Sequence, residues 1–482
     1  MTPPTHPSIS GRETELHALM QADRLEQQAD RTAEYDSVQS CFACALHMHQ
    51  PTIPAGPRGE LISHLQYMFE HGDEGDNHNA GPFANCYRRL ADIIPELIQE
   101  GCNPKIMLDY SGNLLWGFEQ MQRDDIIEAL KYLTQSKDMQ NHVEWLGTFW
   151  GHAVAPSTPI SDFKLQISAW QHQFSALFGS ESLKRVQGFS LPEMHLPNHP
   201  DALFELIHAL RNAGYNWILI QEDSVEQLDG RPLSHGQKYL PNQLISQNSQ
   251  GRQIRMTALI KTQGSDTKLV GQMQPYYEAI GLNRQRLGDI EAPSMVTQIA
   301  DGENGGVMMN EFPDAYRQAH RRVRDDSNGT VSMNGSEYIR WIQSKGINET
   351  EFPAIQAVHQ KKLWDAVGKD ISTERVTDAI RTLQDNDDNF SMQGASWTNS
   401  ISWEDGYKDV LDPMNQLSRD FHKTFDAAVE NDPNITSTRQ YQQALLHLLV
   451  LETSCFRYWG QGQWTEYARE IHRRGDALIK EA

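Results

Sequence analysis

Short apolar runs and amphipathic stretches alternate along most of this chain. Residues 41–49 form the first run, and Pro51 stops its extended geometry. A stretch with helical period follows at 84–100, apolar at Leu90, Ile93, Ile94, Leu97 and Ile98, and leads into an apolar run at 105–110. The same order recurs three times: helix 124–133 before run 142–149, helix 163–178 before 186–191, and helix 201–213 before 217–221. Runs at 255–261 and 295–300, with a short helix at 276–282 between them, bring the strands to seven. Such alternation predicts parallel βαβ units. Polar, Gly- and His-rich residues recur at every strand C-terminus, which favours a closed barrel with one functional face over an open sheet. No G-x-G-x-x-G follows the first strand, as a dinucleotide-binding sheet would require.

The predicted architecture is α/β, an incomplete TIM-like (β/α)7 barrel over residues 38–314, followed by an α-helical subdomain at 315–482. Beyond about residue 315 strand patterns fade, and helical periods appear at 336–344, 352–366, 373–384, 414–431, 438–455 and 465–480. Residues 1–37 are polar, with a helix-like stretch from about 11 to 34, and read as an extension packed on the outside.

Charge narrows the partners. A net charge of −22 repels phosphate backbones and anionic membranes, so neither a nucleic acid nor a membrane is expected as a partner. A neutral substrate suits such a surface. The five cysteines include one C-x-x-C, Cys41 to Cys44, with no second pair, which predicts buried thiols in a reducing cytoplasm. Residues 1–6 carry neither a basic nor an apolar signal region, and no apolar run is long enough to span a bilayer.

The strand ends gather His47, His49, Trp116, His152, Glu193, Glu222, Asp223, Asp301 and Glu303. Glycosidic cleavage needs two carboxyl groups in different environments, one to protonate the leaving oxygen and one to attack or to activate water. Glu193 and Asp301 are the best such pair, each ending an apolar strand in a turn fixed by Pro or Gly. A divalent-metal site remains the rival reading, because His47 and His49, two apart on a strand, share a face with Asp301 or Glu303 in reach. Trp116, Trp397 and Trp403 are sugar platforms or core residues.

Six segments, in order, resemble glycoside hydrolase family 57, whose members include α-amylases, 4-α-glucanotransferases and branching enzymes. They are His49-Gln-Pro51, Tyr110-Ser-Gly-Asn-Leu-Leu115, Trp150-Gly-His152, Gly188-Phe-Ser-Leu-Pro-Glu193, Asp301-Gly-Glu303 and the stretch from Glu452 to Gly460. The resemblance implies a (β/α)7 barrel and a retaining double displacement on α-1,4-glucans without metal or other cofactor. It makes Glu193 the nucleophile and Asp301 the general acid/base. It also places His49 near the cleaved bond, with His152 and Glu303 in or beside the pocket. Hydrolysis, glucan transfer and glucan binding without turnover all stay open. Two departures stand out: Ser190 occupies a position where the family often carries tryptophan, and Gly305-Gly-Val-Met-Met replaces aromatic residues after Asp301.

Overall fold

The computed structural model describes residues 6–22, 35–262, 267–303, 305–326, 328–394, 408–458 and 462–481. Its centre is a barrel of seven strands: β1 (Ser40–Met48), β2 (Ile106–Tyr110), β3 (Val143–Gly147), β4 (Gly188–Ser190), β5 (Trp217–Gln221), β6 (Gln253–Lys261) and β7 (Ser294–Asp301). Neighbours run parallel in the order β7-β1-β2-β3-β4-β5-β6. The ring closes where Lys261 of β6 pairs with Thr297 of β7. Strands β1 to β5 are buried at every position. Helices cover the outer face while side chains fill the inner one, so the strands read as apolar runs rather than as alternations.

Amphipathic helices Leu90–Gln99, Asp124–Gln135, Phe163–Phe178 and Pro200–Asn212 make the first four crossovers. The crossover from β5 to β6 is different. It carries strands Val225–Gln227 and Asn242–Gln247, the second antiparallel to β6.

The sheet does not end at residue 314. Thr330–Ser332 pairs with the first half of β1, and Ala354–Ala357 joins Asn242–Gln247 and Val225–Gln227. The single helix expected at 352–366 is therefore strand Ala354–Ala357 followed by helix Gln360–Val367, divided at His359, whose φ is +71°. Strands of three or four residues are too short to show a period of two.

At the N-terminus, helix Glu13–Gln21 packs on the barrel, with the Arg12 N–H donating to His172 Nε2 at 3.0 Å. The rest of its expected span, 23–34, lies outside the described residues. The C-terminal helices Lys408–Asn431, Arg439–Leu451 and Gln463–Lys480 share one apolar core with the barrel and its helices. A polar seam pins the two parts together. Asp162 meets His422 Nε2 at 2.5 Å, and the fully buried Arg457 donates to the Val154 carbonyl and the Ser157 hydroxyl. At Gly151 the chains approach so closely that a Cβ would lie 2.2 Å from the Leu449 carbonyl oxygen. Among the described residues no helix is long and apolar enough to cross a membrane.

Candidate active site

Strand register builds the site. His47 sits opposite Asp301 on β7 and opposite Asp109 on β2, so one level of the barrel holds a histidine between two acids. His47 Nδ1 lies 3.1 Å from Asp109 Oδ2, and the Asp109 side chain is fully buried. Burial disfavours the charged ring, but the Asp109, Asp301 and Glu303 carboxylates outweigh it and raise the His47 pKa to about 9. His47 is therefore an imidazolium at neutral pH.

His49, two residues on, faces the same interior. Its Nδ1 is 2.8 Å from Ser111 Oγ, its Nε2 is 3.5 Å from Cys455 Sγ, and its backbone N–H donates to Glu303 Oε1 at 3.1 Å. The His152 ring stacks on His49 at 4.0 Å and on His47 at 4.6 Å. Burial and then the neighbouring positive histidine push His49 and His152 well below the usual imidazole range, so both rings are neutral. His152 has a φ of +56° and follows Gly151. Its Nδ1 is 2.6 Å from Ser454 Oγ, and its carbonyl accepts from the Ser454 N–H. Next to it, Ala153 and Thr453 form an isolated antiparallel bridge. The C-terminal part thus supplies one wall of the site.

Glu193 rides on a short turn, Pro192–Met194, directly after β4. Both Glu193 and Met194 hold positive φ, +58° and +50°. Non-glycine residues seldom adopt this geometry, and it aims the carboxylate at a fixed point instead of continuing the strand. Glu193 Oε1 lies 3.9 Å from His152 Nδ1, and its side chain is 16% exposed. Asp301 ends β7, half-buried. Gly302 follows because a Cβ there would meet Met48 Cε at 2.1 Å. Glu303 then turns inward, buried, where it accepts from the Tyr87 hydroxyl at 3.3 Å. Burial first and the Asp301 charge second raise its carboxyl to about 8. Cys455 ties the two candidate acids together, since burial and then the charges of Glu193 and Asp301 push its thiol up to about 12.

The structure thus brings together His47, His49, His152, Glu193, Asp301 and Glu303. Trp116 is placed otherwise. It is 1% exposed against Trp150 at 6.3 Å, so it presents no face to a sugar and is a core residue rather than a platform. Its helix, Gly112–Gln120, folds back on Trp150, and that packing encloses the ring. Trp397 and Trp403 lie outside the described residues. Ser190 is fully buried, with its hydroxyl on Met194 Sδ at 3.9 Å, so this position faces the packing beneath the turn. Glu222, with Asp223, belongs to a separate charge group, paired with Lys238 at 2.8 Å.

Asp109, Ser111, Ser454 and Cys455 were not singled out as site residues. Asp109 did leave a signal: an acid inside the apolar run 105–110 must be partnered. Ser111, Ser454 and Cys455 fall inside the family-like stretches 110–115 and 452–460, but what each of them touches depends on contacts across the whole chain.

Among the described residues, several buried polar atoms in this region have no protein partner, including His47 Nε2, His152 Nε2, Glu303 Oε2 and Asn113 Nδ2. Buried donors and acceptors are nearly always satisfied, and a polyhydroxylated ligand satisfies many at once. The metal reading fits less well. Both nitrogens of His49 and one of His47 are already engaged. Among the described residues no three His, Cys, Asp or Glu side chains converge as a metal ion requires.

No protein-family model and no curated protein matches the sequence. Solved structures do match. A 4-α-glucanotransferase from Thermococcus litoralis superposes with a TM-score of 0.55 at 14% identity, over 92% of this chain and 60% of that one. A GH57 branching enzyme from Thermococcus kodakaraensis gives 0.55 at 12% identity, over 92% and 91%. The GH57-type branching enzyme of Pyrococcus horikoshii gives 0.50 at 11%, over 92% and 88%. The fold is the GH57 fold. This chain spans 60% of the length of the glucanotransferase and about nine-tenths of the two branching enzymes. The GH57 fold accounts for the seven strands and for the helices packed against them.

Proposed function

We propose that this protein cleaves α-1,4-glucans by a retaining double displacement, with Glu193 as nucleophile and Asp301 as general acid/base. One observation carries the reading: the two carboxyl groups emerge at the C-terminal ends of β4 and β7, Glu193 beside His152 and Asp301 opposite His47, whose rings stack on each other. In this reading the Glu193 carboxylate attacks the anomeric carbon while Asp301 protonates the departing glycosidic oxygen. The Asp301 carboxylate then takes a proton from water, and that oxygen releases the sugar from Glu193. Retention requires the two carboxyl groups to stand ~5–5.5 Å apart. Neutral His152, whose Nε2 has no partner among the described residues, hydrogen-bonds a sugar hydroxyl without adding charge, and neutral His49 stacks beside it. Cationic His47 balances the acids around it. The cytoplasmic setting belongs to the same reading, supported by five cysteines that are all unpaired.

When a second glucan replaces water as acceptor, the same intermediate gives transfer or branching. The GH57 neighbours include enzymes named for each outcome, so hydrolysis is the primary proposal and transglycosylation the alternative. A second reading concerns the proton. Glu303, protonated up to about pH 8 and two residues from Asp301, is the acid reserve that resupplies it.

Incubation with maltoheptaose and with glycogen tests the proposal, beside Glu193→Gln and Asp301→Asn. New reducing ends are expected from the wild type, and a loss of at least a thousandfold from either variant. A ladder of longer and shorter oligosaccharides would assign transfer, and shortening by a debranching enzyme would assign branch formation. A wild type that binds both glucans and changes neither would leave a binding protein instead.

A further inference from the structure

Five half-buried aromatic rings lie along two neighbouring helices. Helix His64–Glu70 contributes His64 and Tyr67, followed directly by His71, and helix Gln463–Lys480 contributes Trp464 and Tyr467. Their spacings of three, four and three residues put each set on one helix face. His64 and Trp464 are 5.4 Å apart, Trp464 and Tyr467 6.0 Å, and Tyr67 and His71 4.0 Å. All five are half-buried, so the rings reach solvent as a strip.

The centre of this strip, His64 and Trp464, is joined to the candidate active site on both sides. Gln50, the residue after His49, meets His64 Nδ1 through its Oε1 at 3.2 Å. Phe456, the residue after Cys455, lies 6.1 Å from Trp464. The His49–Cys455 contact is therefore one residue away from the aromatic strip on each side.

We infer that Trp464, with His64, Tyr67 and Tyr467, forms a platform for the glucan chain beyond the bond being cleaved. This rests on the glucan-cleaving reading of the adjoining site. Indole and phenol rings offer flat apolar surface to the C–H faces of pyranose rings, with polar edges for their hydroxyls. The ligand class is a neutral oligosaccharide. His64 carries no charge at neutral pH, because burial lowers it to about 4, and Tyr67 directs its hydroxyl to Glu74.

The test measures maltotriose and maltoheptaose affinity by calorimetry, with Glu193→Gln as the background that prevents turnover. KM values for both sugars are measured in the otherwise wild-type enzyme. Trp464→Ala is expected to weaken maltoheptaose binding about tenfold and leave maltotriose unchanged. Trp464→Phe should keep most of the affinity, and Tyr67→Ala should lower it in the same chain-length-dependent way. A purely structural role would change thermal stability and affect both sugars equally, and that result overturns the inference. Turnover with unaltered chain-length dependence sinks the platform and leaves the proposed activity standing. Chain-length-selective binding without turnover does the opposite. If the protein neither binds nor cleaves glucans, both fall.

Discussion

Cys455 Sγ lies 3.5 Å from His49 Nε2, a contact between residues 406 positions apart. The ring is neutral and the thiol keeps its proton, so the pair is satisfied when Cys455 donates to Nε2 and the His49 Nδ1–H donates to Ser111 Oγ. Cys455→Ala is expected to lower kcat/KM by about tenfold, the value of one such hydrogen bond, without loss of fold. Cys455 is also the one cysteine that is half-buried rather than fully enclosed. Its raised pKa predicts slow alkylation by iodoacetamide at pH 7 and protection by maltoheptaose, both visible by peptide mass mapping. Fast labelling unaffected by the sugar would contradict the placement.

Stability should fall on the alkaline side. The folded pKa of Glu303 is raised from 4.5 to about 8 and that of His47 from 6.5 to about 9, so the native state holds more protons than the unfolded chain across those intervals. Stability is then lost as pH rises through them. The thermal midpoint is expected to drop between pH 7 and 9, and Glu303→Gln should remove part of that slope. Activity should decline over the same range. A midpoint constant from pH 6 to 9 would show that these groups titrate elsewhere.

Glu193 and Met194 both hold left-handed backbone, which costs a non-glycine residue ~1–3 kcal/mol. Glycine relieves that strain, while its freer unfolded chain costs about 0.5–1 kcal/mol. Glu193→Gly is therefore predicted to abolish turnover and leave stability level or up by about 1 kcal/mol, whereas Glu193→Gln keeps the strain. Denaturant unfolding of the two variants checks this. A loss of more than about 2 kcal/mol in the glycine variant would argue against strain at the turn.

Gly151→Ala puts a methyl group against the Leu449 carbonyl, where the backbone must give way. A destabilisation of about 1–3 kcal/mol is expected. His152 follows directly, so kcat should drop as well. If both stay at wild-type values, the seam is looser than its geometry indicates.

The seven barrel strands were legible because strands buried on both faces read as unbroken apolar runs, and so was the placing of Glu193 and Asp301 at strand ends. Asn242–Gln247 is illegible because four of its six residues are polar, and Ala354–Ala357 because four residues are too few to show a period of two. Trp116 illustrates a different limit. Its place after β2 is readable, but its burial is set by Trp150, which arrives from another strand end. Ser454 and Cys455 lie inside the family-like stretch 452–460, but only the packing of the C-terminal helices brings them to the site.

The 406 positions between His49 and Cys455 also set a schedule for biosynthesis. At translation rates of about 5–20 residues per second, His49 leaves the ribosome roughly 20–80 s before its thiol partner. A nascent chain can complete the barrel during that delay while its pocket still lacks a wall. The candidate site is therefore completed late, when the C-terminal helices dock.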